Sequence, residues 1–307
     1  MNPDGVLIVD KPAGKTSHDV VQEIRRIFKT RQVGHAGTLD PDATGVLVVL
    51  VGEATKISSI LLSETKKYRG EMVLGIDTDT FDSSGRITAQ NEAGDISRDD
   101  LERVCKQFVG TIEQIPPPVS AVKFQGTPLY KLTRQGKSVK VPKRKVKIFH
   151  LKVLDFKKNK NPVASFEVEC SKGTYIRSLV SDIGKRLGCG AHLGNLVRTS
   201  SGNFTLSDTH TIDEIRKIVE AGGWKDMVIP IASALDSLPY IKIKSDAKQK
   251  VINGAPVTLN MVEFESKSIV EGELIRILNA DGHLLGIHKG TVRPRATVPV
   301  RMFRQET

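Results

Sequence analysis

The sequence has few of the residues that support disulfide, zinc or cofactor chemistry. Its three cysteines, Cys105, Cys170 and Cys189, are far apart, odd in number and without C-x-x-C spacing. That pattern argues against a disulfide framework and against a zinc site, so we expect no metal and a reducing, cytoplasmic environment. A glycine-rich phosphate loop and a dinucleotide-binding fingerprint are also missing from the sequence, and we therefore expect no cofactor.

Long apolar segments are lacking too, and acidic residues are fewer than basic ones. The 307 residues include 46 Lys and Arg against 35 Asp and Glu, a formal net charge of +11. Such an excess favours a polyanionic partner, nucleic acid before a membrane surface. No segment approaches the roughly 20 apolar residues of a membrane-spanning helix, and no signal peptide is recognisable, so we expect no membrane association.

Polar and turn-forming residues are concentrated at 34–45, which read GHAGTLDPDATG. Six apolar residues follow directly at 46–51 and predict a buried strand. A loop attached in this way to a rigid strand is a common place for functional side chains. The same residues would also suit an ordinary turn, because aspartate and proline both favour turns.

This stretch resembles the catalytic signature of the TruB-type tRNA pseudouridine synthases. A second segment, CSKGTYIR at 170–177, resembles another signature of the family, and a third combines GCGAH at 188–192 with an L-x-R pattern at 196–198. A dozen residues in a fixed order form a far more specific signal than a single glycine motif. The resemblance covers residues 5 to about 200 firmly and the rest loosely.

The resemblance implies that Asp40 is the catalytic residue and that Arg177 pairs with it. The carboxylate would either attack C1′ of the target nucleoside or remove the proton from C2′, and the sequence does not decide between these roles. Without the resemblance, the helical spacing around Arg177 would predict an exposed helix residue.

The resemblance also assigns substrate-binding roles. Tyr68, which lies in a K-x-Y-R context, would stack on the target uracil, and Tyr175 would lie under the reacting base. His35 would wedge beside, or bond to, the neighbours of the flipped nucleotide, and Leu196 would help to wall the pocket. From spacing alone, Tyr68 would be a half-buried strand aromatic and Leu196 a core residue.

The function implied is the isomerisation of uridine-55 in the T-loop of tRNA to pseudouridine, without a cofactor. The implied partner is the T-stem loop of tRNA, and we expect a monomer that needs no guide RNA. A non-catalytic RNA-binding module and a guide-dependent synthase of the same fold are the alternatives. A glycoside hydrolase is a weaker one, since it needs two flanking carboxylates and Pro41 would direct Asp40 and Asp42 apart.

The implied fold class is α+β, the pseudouridine synthase fold. It has a central mixed, largely antiparallel sheet flanked by helices. We expect a catalytic domain at 1–235, with a basic RNA-clasping insertion around 115–150. A small β-rich, PUA-like RNA-binding domain would follow at 236–307, although an unrelated β-barrel would also fit.

Local patterns add two expectations, about helix starts and Lys11, and the resemblance implies a third, about the acidic segment 77–82. Capping boxes at Thr16 and at Ser97 predict helix starts, the second helix closing at Gly110. Lys11 is expected at a solvated strand end, with phosphate binding as the alternative. A carboxylate in the acidic segment 77–82 is expected to pair with an arginine that the sequence does not identify.

Overall fold

A computed structural model describes residues 3–119, 123–124, 127–128, 142–293 and 295–303. Its helices are α1 (Ser17–Ile27), α2 (Ser58–Leu62), α3 (Arg98–Lys106), α4 (Ile176–Leu187), α5 (Ile212–Glu220), α6 (Ile231–Ala234) and α7 (Lys248–Ile252). Short 3-10 helices lie at Gly52–Ile57, Leu206–Asp208, Trp224–Asp226, Ser245–Ala247 and Leu259–Met261. None of the described helices is long and apolar enough to cross a membrane.

The strands fall into an N-terminal and a C-terminal group. The first comprises β1 (Gly5–Lys11), β2 (Val33–His35), β3 (Thr44–Val51), β4 (Lys66–Leu74), β5 (Ile76–Thr78), β6 (Ile87–Gln90), β7 (Gly110–Gln114), β8 (Lys123–Phe124), β9 (Thr127–Pro128), β10 (Arg144–Lys157), β11 (Val163–Cys170), β12 (Ala191–Ser201) and β13 (Phe204–Thr205). The second comprises β14 (Tyr240–Ile243), β15 (Val257–Thr258), β16 (Val262–Glu265), β17 (Leu274–Leu278), β18 (Leu284–Val292) and β19 (Arg295–Met302).

The central sheet has nine strands within the described residues. Its main order is β1-β3-β12-β4-β11-β10-β7, with β2 beside β3 and β13 beside β12. The β3–β12 pair is parallel, and the other pairings recorded for this sheet are antiparallel. The predicted α+β class, with a central mixed and largely antiparallel sheet, is therefore confirmed.

The ends of the helices follow the chemistry of their caps. Thr16 and Ser97 both form the predicted capping boxes, in which side chain and backbone of the cap exchange hydrogen bonds with an aspartate three residues on. The prediction that Gly110 closes α3 is wrong, because the helix ends at Lys106 and Gly110 begins β7. Helix α4 ends at Gly188, which takes the left-handed conformation that glycine adopts without strain.

The parallel β3–β12 contact requires a glycine at position 45. Gly45 has a φ of 93°, and a Cβ atom on it would lie 2.4 Å from the carbonyl oxygen of Arg198. A side chain here would strain the backbone and force the two strands apart. Gly45 thus lets β12 approach β3 at the end of the 34–45 loop, which fixes the loop against the middle of the sheet.

The C-terminal strands form a separate six-stranded sheet in the order β15-β19-β18-β17-β14-β16. Its own core includes Ile243, Val251 and Ile277, while Ile287 and Phe303 pack with residues of β1 and β3. The predicted small β-rich C-terminal unit is therefore present. Its PUA-like character and a domain boundary between 235 and 236 stay predictions.

Candidate active site

The backbone of the 34–45 loop is held by the start of α1. Leu39 is buried, its N–H donates to the Ser17 hydroxyl oxygen at 2.8 Å, and that hydroxyl donates to the Leu39 carbonyl at 3.1 Å. Ser17 is itself buried, so both hydrogen bonds are shielded from water. This two-way contact fixes the peptide immediately before Asp40.

Lys11 holds the other side of the loop, and the expectation of a solvated strand end was wrong. Its side chain is buried, and its Nζ donates to the carbonyls of Pro41 and Pro12, both at 2.8 Å. The N–H of Gly14 donates to the same Pro41 carbonyl. Burial lowers the pKa of Lys11 to about 8, although nearby Asp42 and Asp40 oppose that shift. Backbone acceptors, which sequence spacing does not reveal, draw the lysine inward.

Arg177 and Asp40 form a two-point ion pair. The Nε and Nη2 groups of Arg177 donate to Oδ2 and Oδ1 of Asp40, each at 2.9 Å. The arginine side chain is only 6% exposed, whereas the aspartate side chain is 41% exposed. Paired planar hydrogen bonds of this kind restrict rotation of the carboxylate. Asp40 is therefore fixed in orientation and still open to a ligand.

The remaining donors of Arg177 are also occupied. Nη1 donates to the carbonyl of Thr80 at 3.1 Å and lies 3.4 Å from Oδ2 of Asp82, while Nη2 also donates to the carbonyl of Val119 at 3.0 Å. Asp82 is thus the carboxylate of the acidic segment that meets an arginine. The spacing-based interpretation of Arg177 as an exposed residue does not hold, because it is buried at the start of α4.

Tyr68 lies beside this ion pair on β4. It is 8% exposed and lies opposite Arg198 in the β4–β12 pairing. Burial raises the pKa of the Tyr68 hydroxyl, the nearby Arg198 partly opposes the shift, and the charge of Asp40 adds to it. The structure therefore brings Asp40 and Arg177 together, with Tyr68 near enough for the charge of Asp40 to act on its hydroxyl.

Tyr175 is held at the N-terminal end of α4, two residues before Arg177. Its backbone N–H donates to the side-chain oxygen of Gln114 at 3.1 Å, and its carbonyl accepts from the Gln114 amide at 3.3 Å. The Tyr175 residue is half-buried. Its placement on the element that carries Arg177 suits a wall of the same site.

Neither His35 nor Leu196 is hydrogen-bonded to Asp40 or Arg177 among the described residues. His35 ends β2, and its Nδ1 has no hydrogen-bond partner among the described residues. Burial, followed by the charge of Arg198, lowers the pKa of His35. Leu196 is 8% exposed and belongs to the main core cluster, facing Gly70 across β12 and β4.

Two other predicted features bear on ligands. Among the described residues, no group of three or more His, Cys, Asp or Glu side chains could hold a metal ion. Much of the basic insertion predicted around 115–150 lies outside the described residues. Within its described part, the side chains of Lys143 to Lys145 and of Lys147 are exposed.

Four residues of the site's framework had no assigned role in the sequence analysis: Ser17, Thr80, Asp82 and Arg198. Asp82 was included only as one of several acidic candidates, and Arg198 only as part of an L-x-R pattern. Each acts through a partner distant in the sequence, so local spacing carried no signal for its contacts.

Comparison with known families gives two matches that together span residues 25–236. The description "TruB family pseudouridylate synthase (N terminal domain)" matches residues 25–176, and "tRNA pseudouridylate synthase B C-terminal domain" matches residues 177–236. The first match contains the loop with Asp40, and the second begins at Arg177. The candidate ion pair therefore joins the two matched regions.

Relatives named tRNA pseudouridine synthase B are similar over nearly the whole chain. The protein of Syntrophotalea carbinolica is 43% identical over 281 residues, covering 92% of this chain and 90% of the relative. That of Bacillus pumilus is 39% identical over 307 residues, covering 99% of this chain and 98% of the relative.

Solved structures with the same fold include two chains from ribonucleoprotein complexes. One belongs to an H/ACA RNP bound to a substrate RNA containing 2′-deoxyuridine, with a TM-score of 0.76, 28% identity and coverage of 98% of this chain and 85% of that chain. The other is from an archaeal box H/ACA sRNP Nop10-Cbf5 complex, with a TM-score of 0.74, 28% identity and coverage of 99% and 87%.

Proposed function

The chain belongs to the TruB family of pseudouridylate synthases, and we propose that it isomerises uridine-55 in the T-loop of tRNA to pseudouridine with Asp40 as the catalytic group. The observation that carries the role of Asp40 is its geometry. The carboxylate is held at two points by a buried arginine, yet 41% of its side chain faces solvent. A fixed, accessible carboxylate suits attack on, or proton removal from, the ribose of an incoming nucleotide.

The reaction breaks the N1–C1′ bond, turns the uracil and forms a C5–C1′ bond. The proton on C5 is lost and N1 gains one, so the overall change is an isomerisation that consumes no second substrate. Asp40 would either form a bond to C1′ or take the C2′ proton, and both roles remain within the proposal. In either role the Arg177 fork orients the carboxylate, because its two hydrogen bonds hold the plane of the carboxylate.

Aromatic residues of the site would bind the extruded uracil. Extruding a base from a folded loop costs on the order of a few kcal/mol. Stacking on an aromatic ring returns roughly 1–3 kcal/mol per base, and Tyr68 and Tyr175 are the candidates near Asp40. His35, at the end of β2, would contact the neighbours of the flipped nucleotide, and Leu196 would line the inner wall.

The proposed substrate region is the T-stem loop, which the basic residues around 115–150 would clasp. The exposed lysines and arginine at 143–147 are suited to phosphate contacts, and the net charge of +11 favours RNA generally. We propose a monomer that acts in the cytoplasm without a guide RNA. The structural similarity to chains of H/ACA complexes makes guide dependence the second candidate.

A reconstituted assay separates these candidates. Purified protein is incubated with an unmodified tRNA transcript and no other RNA or protein, and pseudouridine is mapped by carbodiimide modification and mass spectrometry. The proposal predicts complete conversion at position 55 and none in a transcript carrying cytidine there. Product at another position would refute the site. Conversion only after a guide RNA is added would support the second candidate instead.

A further inference from the structure

Arg198 is among the largest fully buried side chains in the described part of the protein. It lies on β12 between β3 and β4, with 1% of its surface exposed. None of the ion pairs between described residues includes it. A buried guanidinium without a carboxylate partner is costly unless hydrogen bonds occupy its donors.

The surroundings of Arg198 make the charge still more costly. Lys66 is 4% exposed nearby, and burial followed by the charge of Arg198 lowers its pKa to about 8. The pKa of His35 is lowered by burial and then by the same arginine. Because the fold concentrates basic groups behind the Asp40 loop, packing alone gives no reason for an arginine rather than an apolar residue at 198.

The contacts of Arg198 connect three separate parts of the site. Its Nε donates to the carbonyl of Val46 at 2.6 Å, at the start of the buried stretch of β3, and its Nη2 donates to the carbonyl of Gly37 at 3.2 Å. Across the β12–β4 pairing, Arg198 also lies directly opposite Tyr68. Gly37 precedes Asp40 by three residues in the loop.

We propose that Arg198 is a positioning residue for pseudouridine formation, in which one guanidinium sets the placement of the Asp40 loop relative to the Tyr68 ring. This inference rests on the proposed function. The planar guanidinium presents donors in fixed directions, so it holds the Gly37 carbonyl of the loop in place relative to β12, on which Arg198 lies opposite Tyr68. A lysine at this position would keep the charge and lose that geometry.

The first test compares Arg198→Lys with the wild-type enzyme in single-turnover assays on a tRNA transcript. We expect the rate constant to fall at least tenfold while the Kd for tRNA stays within twofold, because the Arg198 side chain is only 1% exposed and cannot contact the RNA surface directly. Arg186→Lys is the matched control: Arg186 is exposed on α4, donates to Gln107 at 2.9 Å and should leave the rate unchanged. A normal rate for folded Arg198→Lys would overturn the proposal.

A double-mutant cycle distinguishes positioning from a general structural role. If Arg198 acts by placing the Asp40 loop, Arg198→Lys should slow an Arg177→Lys enzyme, in which the Asp40 carboxylate is already released from its fork, much less than it slows the wild type. Equal effects in both backgrounds would contradict the proposal. A wild-type enzyme that forms no pseudouridine would instead refute the proposed function, so the two failures are distinguishable.

If Arg198→Lys does not fold, a second variant tests the proposal. Arg198→Gln keeps a planar donor group but cannot reach both the Val46 and the Gly37 carbonyls, so its single-turnover rate constant should also fall at least tenfold. A normal rate for Arg198→Gln would overturn the proposal.

Discussion

Replacing Ser17 by alanine removes one oxygen atom that holds the peptide before Asp40. That oxygen accepts from the Leu39 N–H at 2.8 Å and donates to the Leu39 carbonyl at 3.1 Å. Both backbone groups would be left buried without partners, and an unpaired buried polar group costs about 1–3 kcal/mol. We expect Ser17→Ala to lower the free energy of unfolding by about 2–4 kcal/mol.

The same change should slow catalysis, because Asp40 follows Leu39 directly. A displacement of about 1 Å at a reacting group can reduce a rate by about 100-fold, so we expect a roughly 10- to 100-fold fall in kcat with a nearly unchanged Kd for tRNA. The assay is multiple-turnover pseudouridine formation at saturating tRNA, with thermal unfolding measured in parallel.

The neighbouring residue provides the control for stability. Thr16 caps α1 from the surface, so Thr16→Ala should cost about 1 kcal/mol of stability through loss of the cap without moving Leu39. Thr16→Ala should therefore keep its kcat. Equal kcat values for Ser17→Ala and Thr16→Ala, measured well below both unfolding midpoints, would refute the positioning argument.

Three further predictions follow from the same contacts. Arg177→Lys loses the fork on Asp40 and should lower kcat by about 100-fold, a loss of roughly 3 kcal/mol, in the same multiple-turnover assay; a change under threefold would contradict this. Gly45→Ala should lower the free energy of unfolding by at least about 2 kcal/mol in urea titrations, because its Cβ would lie 2.4 Å from the Arg198 carbonyl oxygen. Burial lowers the pKa of His288 to about 4 from its ordinary value of 6.5. As the pH falls, the unfolded chain therefore takes up a proton on this histidine before the folded protein does. The stability that is present above pH 6.5 is lost as the pH falls towards 4. The loss should reach about 3 kcal/mol in urea titrations across this range and shrink in His288→Gln; equal pH dependence in both proteins would contradict it.

Local patterns were sufficient where the interaction is local. The capping boxes at Thr16 and Ser97 depend on residues only three positions apart. Both were therefore predictable from the sequence. The end of α3 was not, because the helix stops at Lys106 before its glycine and no local rule requires the earlier stop.

Contacts between distant segments were accessible only through resemblance, or not at all. The pairing of Asp40 with Arg177 joins residues 137 positions apart, and only the family signatures suggested it. No family signature indicated the buried position of Lys11, the hydrogen bonds of Ser17 to Leu39, or those of Arg198 to backbone carbonyls. Each depends on backbone carbonyls or N–H groups, which every residue carries and which leave no mark in the sequence.

The roles of these framework residues follow from what they hold in place. Lys11 and Ser17 fix opposite sides of the Asp40 loop through backbone contacts, while Arg177 fixes the carboxylate itself. Such indirect support explains why residues that never touch the nucleotide can control its reaction.

The most direct measurement is pseudouridine formation by Asp40→Asn, with tRNA binding measured on the same preparation. The account predicts no detectable product, because an amide is neither a nucleophile nor a base of comparable strength, together with a Kd within about threefold of wild type. Asp42→Asn, an exposed change two residues away, should remain active. Turnover by Asp40→Asn at a normal rate would contradict the central claim that this carboxylate carries out the reaction.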